Sequence, residues 1–237
     1  MRPLFHCFHI FLRQISRDSM LFAVLTAPVL TACAFRFGIP YAEVLLCAYF
    51  DKVSILSGYY LLFDLFLAVM TPYMFCFASS MVMLTELDEN MARYMAVTPV
   101  GKQGYIMSRL VFPGTIAFIV SVILMHFFSL TMWSAPFMTL TCFLTSLLSI
   151  AVSLLLVSFS HNRVEGMALA KLSGMIMLGL PVPFFLFSRT QYLFCILPSF
   201  WIAKLCVDGN LLLTIPAVLT SLLWILVLYG RFEKILS

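Results

Sequence analysis

The chain has 237 residues, of which 63% are hydrophobic and only 10% charged, with a formal net charge of +4. A soluble domain is about a quarter charged, so this chain cannot cover a water-facing surface, and its medium is lipid. That excludes a soluble enzyme, and with no basic cluster interleaved with stacking aromatics outside the apolar runs it excludes a nucleic-acid module.

In chain order, residues 3–17 come first. Leu4, Phe8, Phe11 and Ile15 share one helical face, while His6, His9, Arg13, Ser16 and Arg17 share the other. This pattern predicts a helix lying flat on the membrane surface. Arg13, Arg17 and Asp18 interrupt the apolar pattern too early for a cleavable signal, so the first long run is a retained span. His6, Cys7 and His9 have no carboxylate or further ligand nearby, and no metal site is expected.

Six continuous apolar runs follow, at 20–37, 59–84, 105–127, 136–159, 166–187 and 211–229. Each approaches the 20 or so residues a helix needs to cross, and none alternates as a barrel strand does. The expected architecture is therefore an all-α integral membrane protein in a single transmembrane domain spanning 1–237. With the N-terminus in the cytoplasm, ten Lys and Arg fall inside and four outside. Both termini are thus expected in the cytoplasm. Two outer segments are too short to cross: 39–50, which carries Glu43, and 192–205, which carries Pro198, Trp201 and Lys204. The second reads as a re-entrant or interfacial element between spans 5 and 6. Asp64 in the second span is an interfacial acid, or else faces the interior or a transport path. Lys171 and His126 lie near span ends. Seven scattered cysteines form no metal pattern, and a disulfide among Cys47, Cys195 and Cys206 stays open.

The most polar passage is 85–104, between the second and third spans. Thr85 and Asp88 form a T-x-x-D capping box that starts a new helix, with Glu86, Asp88 and Glu89 in its first turn. Leu87, Met91, Tyr94 and Met95 make an apolar face, while Arg93 points elsewhere. Thr98 and Pro99 stop this helix. Tyr105 and Arg109 anchor the next span at the headgroups. A connecting loop needs only a few residues, so this segment is built to dock into something.

No H-E-x-x-H, G-x-S-x-G or G-x-x-x-x-G-K-[ST] motif occurs, and no catalytic residue is expected. The run from Glu86-x-x-Glu89 through "AVTPVGKQGYIMSRL" resembles the membrane subunits of ATP-binding-cassette transporters of the type-two exporter class. That class carries an acidic pair, a T/S-P step, a tyrosine and a basic residue in this order. The resemblance implies a cytoplasmic coupling helix seated in a separate ATPase subunit, which alone holds ATP and magnesium. Glu86, Asp88, Glu89 and Arg93 would pair with the ATPase, Leu87, Met91 and Tyr94 would fill its groove, and Thr98 and Pro99 would complete the segment. A second permease subunit, identical or different, is implied, in a bacterial cell membrane, with an amphipathic small molecule, drug, lipid-linked compound or peptide as cargo. The alternatives are a bacteriocin-immunity or sensor protein of the same fold, and an intramembrane enzyme using Asp64 or His126.

Overall fold

The computed structural model describes residues 11, 13–89, 91, 94, 101–186 and 188–235. Those residues contain no strand. The helices are α1 (Ser19–Cys33), α2 (Ile39–Phe50), α3 (Tyr60–Asp88), α4 (Gly101–Ile106), α5 (Phe112–Phe128), α6 (Ala135–Phe159), α7 (Arg163–Ser173), α8 (Val182–Phe185), α9 (Pro198–Asp208) and α10 (Thr214–Ile235).

Among the described residues five stretches are long and apolar enough to cross a bilayer: Ser19–Phe50, Ser57–Asp88, Gln103–Phe128, Ala135–Phe159 and Leu211–Glu233. The chain is therefore a multi-pass helical membrane protein. The sixth expected helix, at 166–187, does not form as one piece. It is divided into α7, a 3-10 turn at Gly174–Gly179 and the short α8. Gly174 and Gly179 weaken the helix, and Pro181 and Pro183 each remove a backbone donor.

The first stretch also differs from expectation. A π-turn at Ala34–Gly38 joins α1 to α2 without a break, so 39–50 extends the helix instead of standing apart. The combined helix has 32 residues and is about 48 Å long at 1.5 Å per residue, more than the roughly 30 Å hydrocarbon layer. Asp18 starts it by accepting from the N–H groups of Met20 and Leu21 at 3.0 and 3.3 Å, the usual N-cap arrangement. Asp51, at φ 51°, ends it. Glu43 accepts from the N–H groups of Ile55 and Leu56 at 2.9 and 2.5 Å, which folds the following loop back onto α2.

The core is built around α3 and α6, which pack on each other, with α5 and α1 also against α3 and α10 against α6. The most apolar windows of α3 and α6 are 61% and 72% buried, against 17% for the α1–α2 helix and for α10. The central pair is thus enclosed and the peripheral pair is exposed on the outside of the bundle. Apolar burial does not drive helices together inside lipid, so close packing and interhelical hydrogen bonds must. Small hydroxyls supply both. Ser80 Oγ lies 2.8 Å from Ser153 Oγ, joining α3 to α6. Ser121 donates to the carbonyl of Ala68 at 3.3 Å, joining α5 to α3. Ser158 donates to the carbonyl of Leu228 at 3.2 Å, joining α6 to α10.

The segment 188–208 folds back on the bundle. Trp201 Nε1 donates to the carbonyl of Cys195 at 2.7 Å, and Trp224 Nε1 to that of Ile196 at 3.1 Å. Buried Lys204 donates to Tyr192 Oη at 2.7 Å and sits 4.0 Å from the Tyr192 ring centroid. Cys47, Cys195 and Cys206 are free thiols.

The Gly174–Gly179 turn lies directly on α9. A Cβ at Gly179 would come within 2.7 Å of the Phe200 backbone nitrogen, which cannot move aside. Gly38 has nothing within 4 Å of the same position. Gly179→Ala is expected to destabilise the protein by about 1–3 kcal/mol, whereas Gly38→Ala should stay within about 0.5 kcal/mol of the parent. Thermal unfolding in detergent measures both.

Candidate functional site

The best-organised polar cluster lies where α3 ends and the third long helix begins. Glu86 is on the last full turn of α3. Arg109 sits on a π-turn, Met107–Val111, between α4 and α5. These antiparallel stems bring together two charges 23 residues apart in sequence. Arg109 Nη2 donates to Glu86 Oε1 at 2.6 Å and Nε donates to Oε2 at 3.0 Å, a bidentate pairing. Tyr105 Oη adds a third donor to Oε2 at 3.1 Å. The Phe11 ring lies 5.2 Å from the guanidinium carbon and the Tyr105 ring 5.9 Å. Both charged side chains are only 1% exposed. Ser79 also donates to the carbonyl of Arg109, so α3 holds the π-turn by its backbone as well.

Two ions taken out of water lose several kcal/mol each in hydration. Here the loss is offset by the bidentate geometry, the tyrosine donor and the two ring faces. The result is a clamp that fixes the two stems of the intervening segment. Gly101, at φ 66°, begins the second stem in a conformation that other residues resist.

This geometry corrects the expected role of Glu86. The residue faces inward to Arg109, so it is not offered to a partner. Arg109 is likewise a clamp residue and not a headgroup anchor. The expected capping box at Thr85 does not form either. Thr85 Oγ1 donates to the carbonyl of Met81 at 3.0 Å, and α3 runs unbroken to Asp88. The hydroxyl is satisfied inside the helix, and no glycine or proline interrupts this turn.

Leu87 packs partly against the core. Asp88 and Glu89 are exposed, as are Met91 and Tyr94, at 47% and 71%. Of the expected docking residues among those described, these four are the exposed ones. Arg93, Thr98 and Pro99 lie outside the described residues, as does most of the expected surface helix at 3–17.

A second charged link meets this end of the bundle. Arg163 Nη2 at the start of α7 lies 2.5 Å from Asp18 Oδ2. The Arg163 N–H donates to Asp88 Oδ2 at 3.3 Å. A cleft of about 520 Å³ opens here, lined by Gln14, Arg17, Asp18, Thr85, Glu89 and Arg163. Burial pushes the Asp18 carboxyl up, but the Arg163 hydrogen bond, the Leu21 N–H, the Arg163 charge and the Met20 N–H together bring it below its ordinary value.

Asp64 lies at the opposite end of α3 and is 1% exposed. It accepts from the N–H groups of Leu130 and Thr131 at 2.8 and 2.9 Å, from Thr131 Oγ1 at 2.5 Å and from Trp133 Nε1 at 2.9 Å. Four donors make it an interior anchor for the loop between α5 and α6. For Glu86 the signal lay in Arg109, a basic residue at matching depth on the antiparallel helix, while Asp64 takes the interior alternative.

The fold and the clamp define a multi-pass helical membrane protein in which a buried ion pair locks the end of α3 to the start of the next long helix. The chain belongs to the family described as "Fluoroquinolones export permease protein Rv2686c-like", whose model matches residues 11–230. Similar proteins include the fluoroquinolones export permease proteins Rv2686c and MT2760 of Mycobacterium tuberculosis, strains H37Rv and CDC 1551. Each is 27% identical over 201 residues, which covers 81% of this chain and 77% of the relative. No solved structure matches the chain.

Two outcomes test this site. Glu86→Ala removes the buried carboxylate that faces the Arg109 guanidinium and should cost about 3–5 kcal/mol, whereas Glu86→Leu combined with Arg109→Met should restore much of that loss; thermal unfolding in detergent reads both. Because the folded Asp18 carboxyl is held low, its stabilisation is complete above the unfolded value near 4 and is lost as pH falls toward the folded value. Asp18→Asn should therefore flatten the decline in melting temperature between about pH 5 and pH 3. A decline as steep as the parent's would contradict the link.

Proposed function

We propose that the chain is the permease subunit of an ATP-binding-cassette exporter whose motor is a separate cytoplasmic ATPase. Family membership supports drug export, since the relatives are named for fluoroquinolones. The cargo class proposed here is amphipathic, drug-sized molecules of that kind.

The observation that carries the motor assignment is the clamped segment. Glu89 directly follows α3, whose end the Glu86–Arg109 pair holds, and Met91 and Tyr94 are exposed a few residues further along the chain. An acidic, aromatic tip on a rigid support transmits a push, whereas a loose loop would absorb it. Nucleotide-driven closure of the ATPase would act on this tip, and the clamp would pass the movement to α3 and α5 together. In this reading the Glu86 end of the bundle and both termini lie in the cytoplasm. The broken stretch from Arg163 to Phe185 supplies the sixth crossing, and α9 forms a re-entrant element at the outer face. A second permease subunit, identical or different, completes the path. ATP and magnesium bind to the ATPase, and this chain holds no cofactor of its own.

Glu89→Lys with Tyr94→Ala changes only exposed groups and leaves the clamp intact. Affinity purification from native membranes is expected to recover an ATPase polypeptide with the parent chain and at least about tenfold less with the double variant, equivalent to 1.4 kcal/mol at the interface. Equal recovery from a well-folded variant would contradict the coupling role.

A further inference from the structure

A groove between α1, α3 and α7 has no part in the coupling described above. Its volume is about 360 Å³, and Met20, Tyr73, Met74, Phe77, Met167 and Lys171 line it. That volume lies in the range of about 300–1,000 Å³ typical of small-molecule sites. Three thioethers adapt to a bound shape, and two aromatic rings offer flat faces.

The groove is bounded at both ends. Arg163, Met167 and Lys171 follow one another at spacings of four, so they form one stripe of α7. At the first position Arg163 is neutralised by Asp18, and its Nη2 lies 3.8 Å from Met20 Sδ. Further along, Tyr73 Oη donates to the carbonyl of Ala170 at 3.1 Å and lies 2.9 Å from Ser173 Oγ. Lys171 is exposed at the rim, and among the described residues no carboxylate pairs with it. An apolar slot of limited length with one unneutralised cation at its mouth suits a compact ring carrying an anionic group. A long acyl chain would overrun the Tyr73 and Arg163 boundaries.

We propose that this groove is a membrane-side entry site for an aromatic amphiphile bearing a carboxylate. The ring lies among Met20, Met167 and Phe77, and the carboxylate meets the Lys171 ammonium. This rests on the export reading above and assigns it an entry point.

The test uses the full-length chain in phosphatidylcholine nanodiscs with norfloxacin, a fluorescent aromatic carboxylic acid, as probe. Lys171→Glu is expected to weaken binding about tenfold, beyond the few-fold value of an exposed ion pair because the charge is reversed. The same change should leave binding of the norfloxacin methyl ester within about twofold. Met167→Trp fills the slot and should weaken acid and ester alike. Parent-like norfloxacin affinity in both variants would overturn the proposal. So would phosphatidylglycerol retained by the parent and lost from Lys171→Glu with norfloxacin affinity unchanged, which would make the groove a lipid site. Export assays in cells separate the two readings. If the parent exports norfloxacin and both variants match it, the groove fails and the export reading stands. If the parent exports none, the export reading fails, and the binding series alone decides the groove.

Discussion

The bidentate pair between Glu86 and Arg109 is the constraint on which the rest of this end of the molecule depends. Buried opposite charges contribute little net stability compared with a well-packed apolar alternative, but either one alone is strongly destabilising. Such a pair therefore fixes geometry more than it adds stability. Here it sets the depth of α3 against the third long helix, and Tyr105 and Phe11 complete the enclosure. The π-turn at Met107–Val111 belongs to the same device. It places Arg109 toward Glu86, and the Arg109 carbonyl, four residues before Pro113, which has no N–H to donate, accepts from Ser79.

The same helix carries a buried acid at each end. Asp64 gathers four donors from the loop between α5 and α6, and Glu86 gathers Arg109 and Tyr105. The two lie 22 positions apart, or about 33 Å along the helix axis, close to the roughly 30 Å of the hydrocarbon layer. Helix α3 is thus tied to its neighbours at both membrane boundaries and by small hydroxyls between them. A movement imposed at the Glu86 end has an enclosed helix to travel along, continuous past Pro72. The α1–α2 helix and α10 lie on the outside of the bundle and are tied to it by Asp18–Arg163, by Ser158 and by Trp224.

Much of the architecture was legible because lipid imposes a simple rule: continuous apolar runs of sufficient length become helices. The rule failed where backbone chemistry outweighed hydropathy. The run at 166–187 is apolar apart from Lys171 and Ser173, but its glycines and prolines divide it into α7, a 3-10 turn and α8. At Gly38–Pro40 the opposite error occurred, since a proline in the first turn of a helix does not stop it, and the π-turn carries α1 into α2. The acidic stretch at 86–89 was recognisable as special, but its division of labour was not. Composition alone does not tell an inward glutamate from outward ones. That distinction required knowing that Glu86 and Arg109 stand at equal depth on antiparallel stems.

The central claim is that the clamp makes the end of α3 and the start of the next long helix one mechanical unit. Amide hydrogen exchange measured by mass spectrometry tests this most directly, comparing the parent with Glu86→Gln in the same lipid. The account predicts slow exchange in the parent for segments 84–89 and 103–112, and acceleration of both by a common factor in the variant. Acceleration of one segment alone, or of neither, would contradict it.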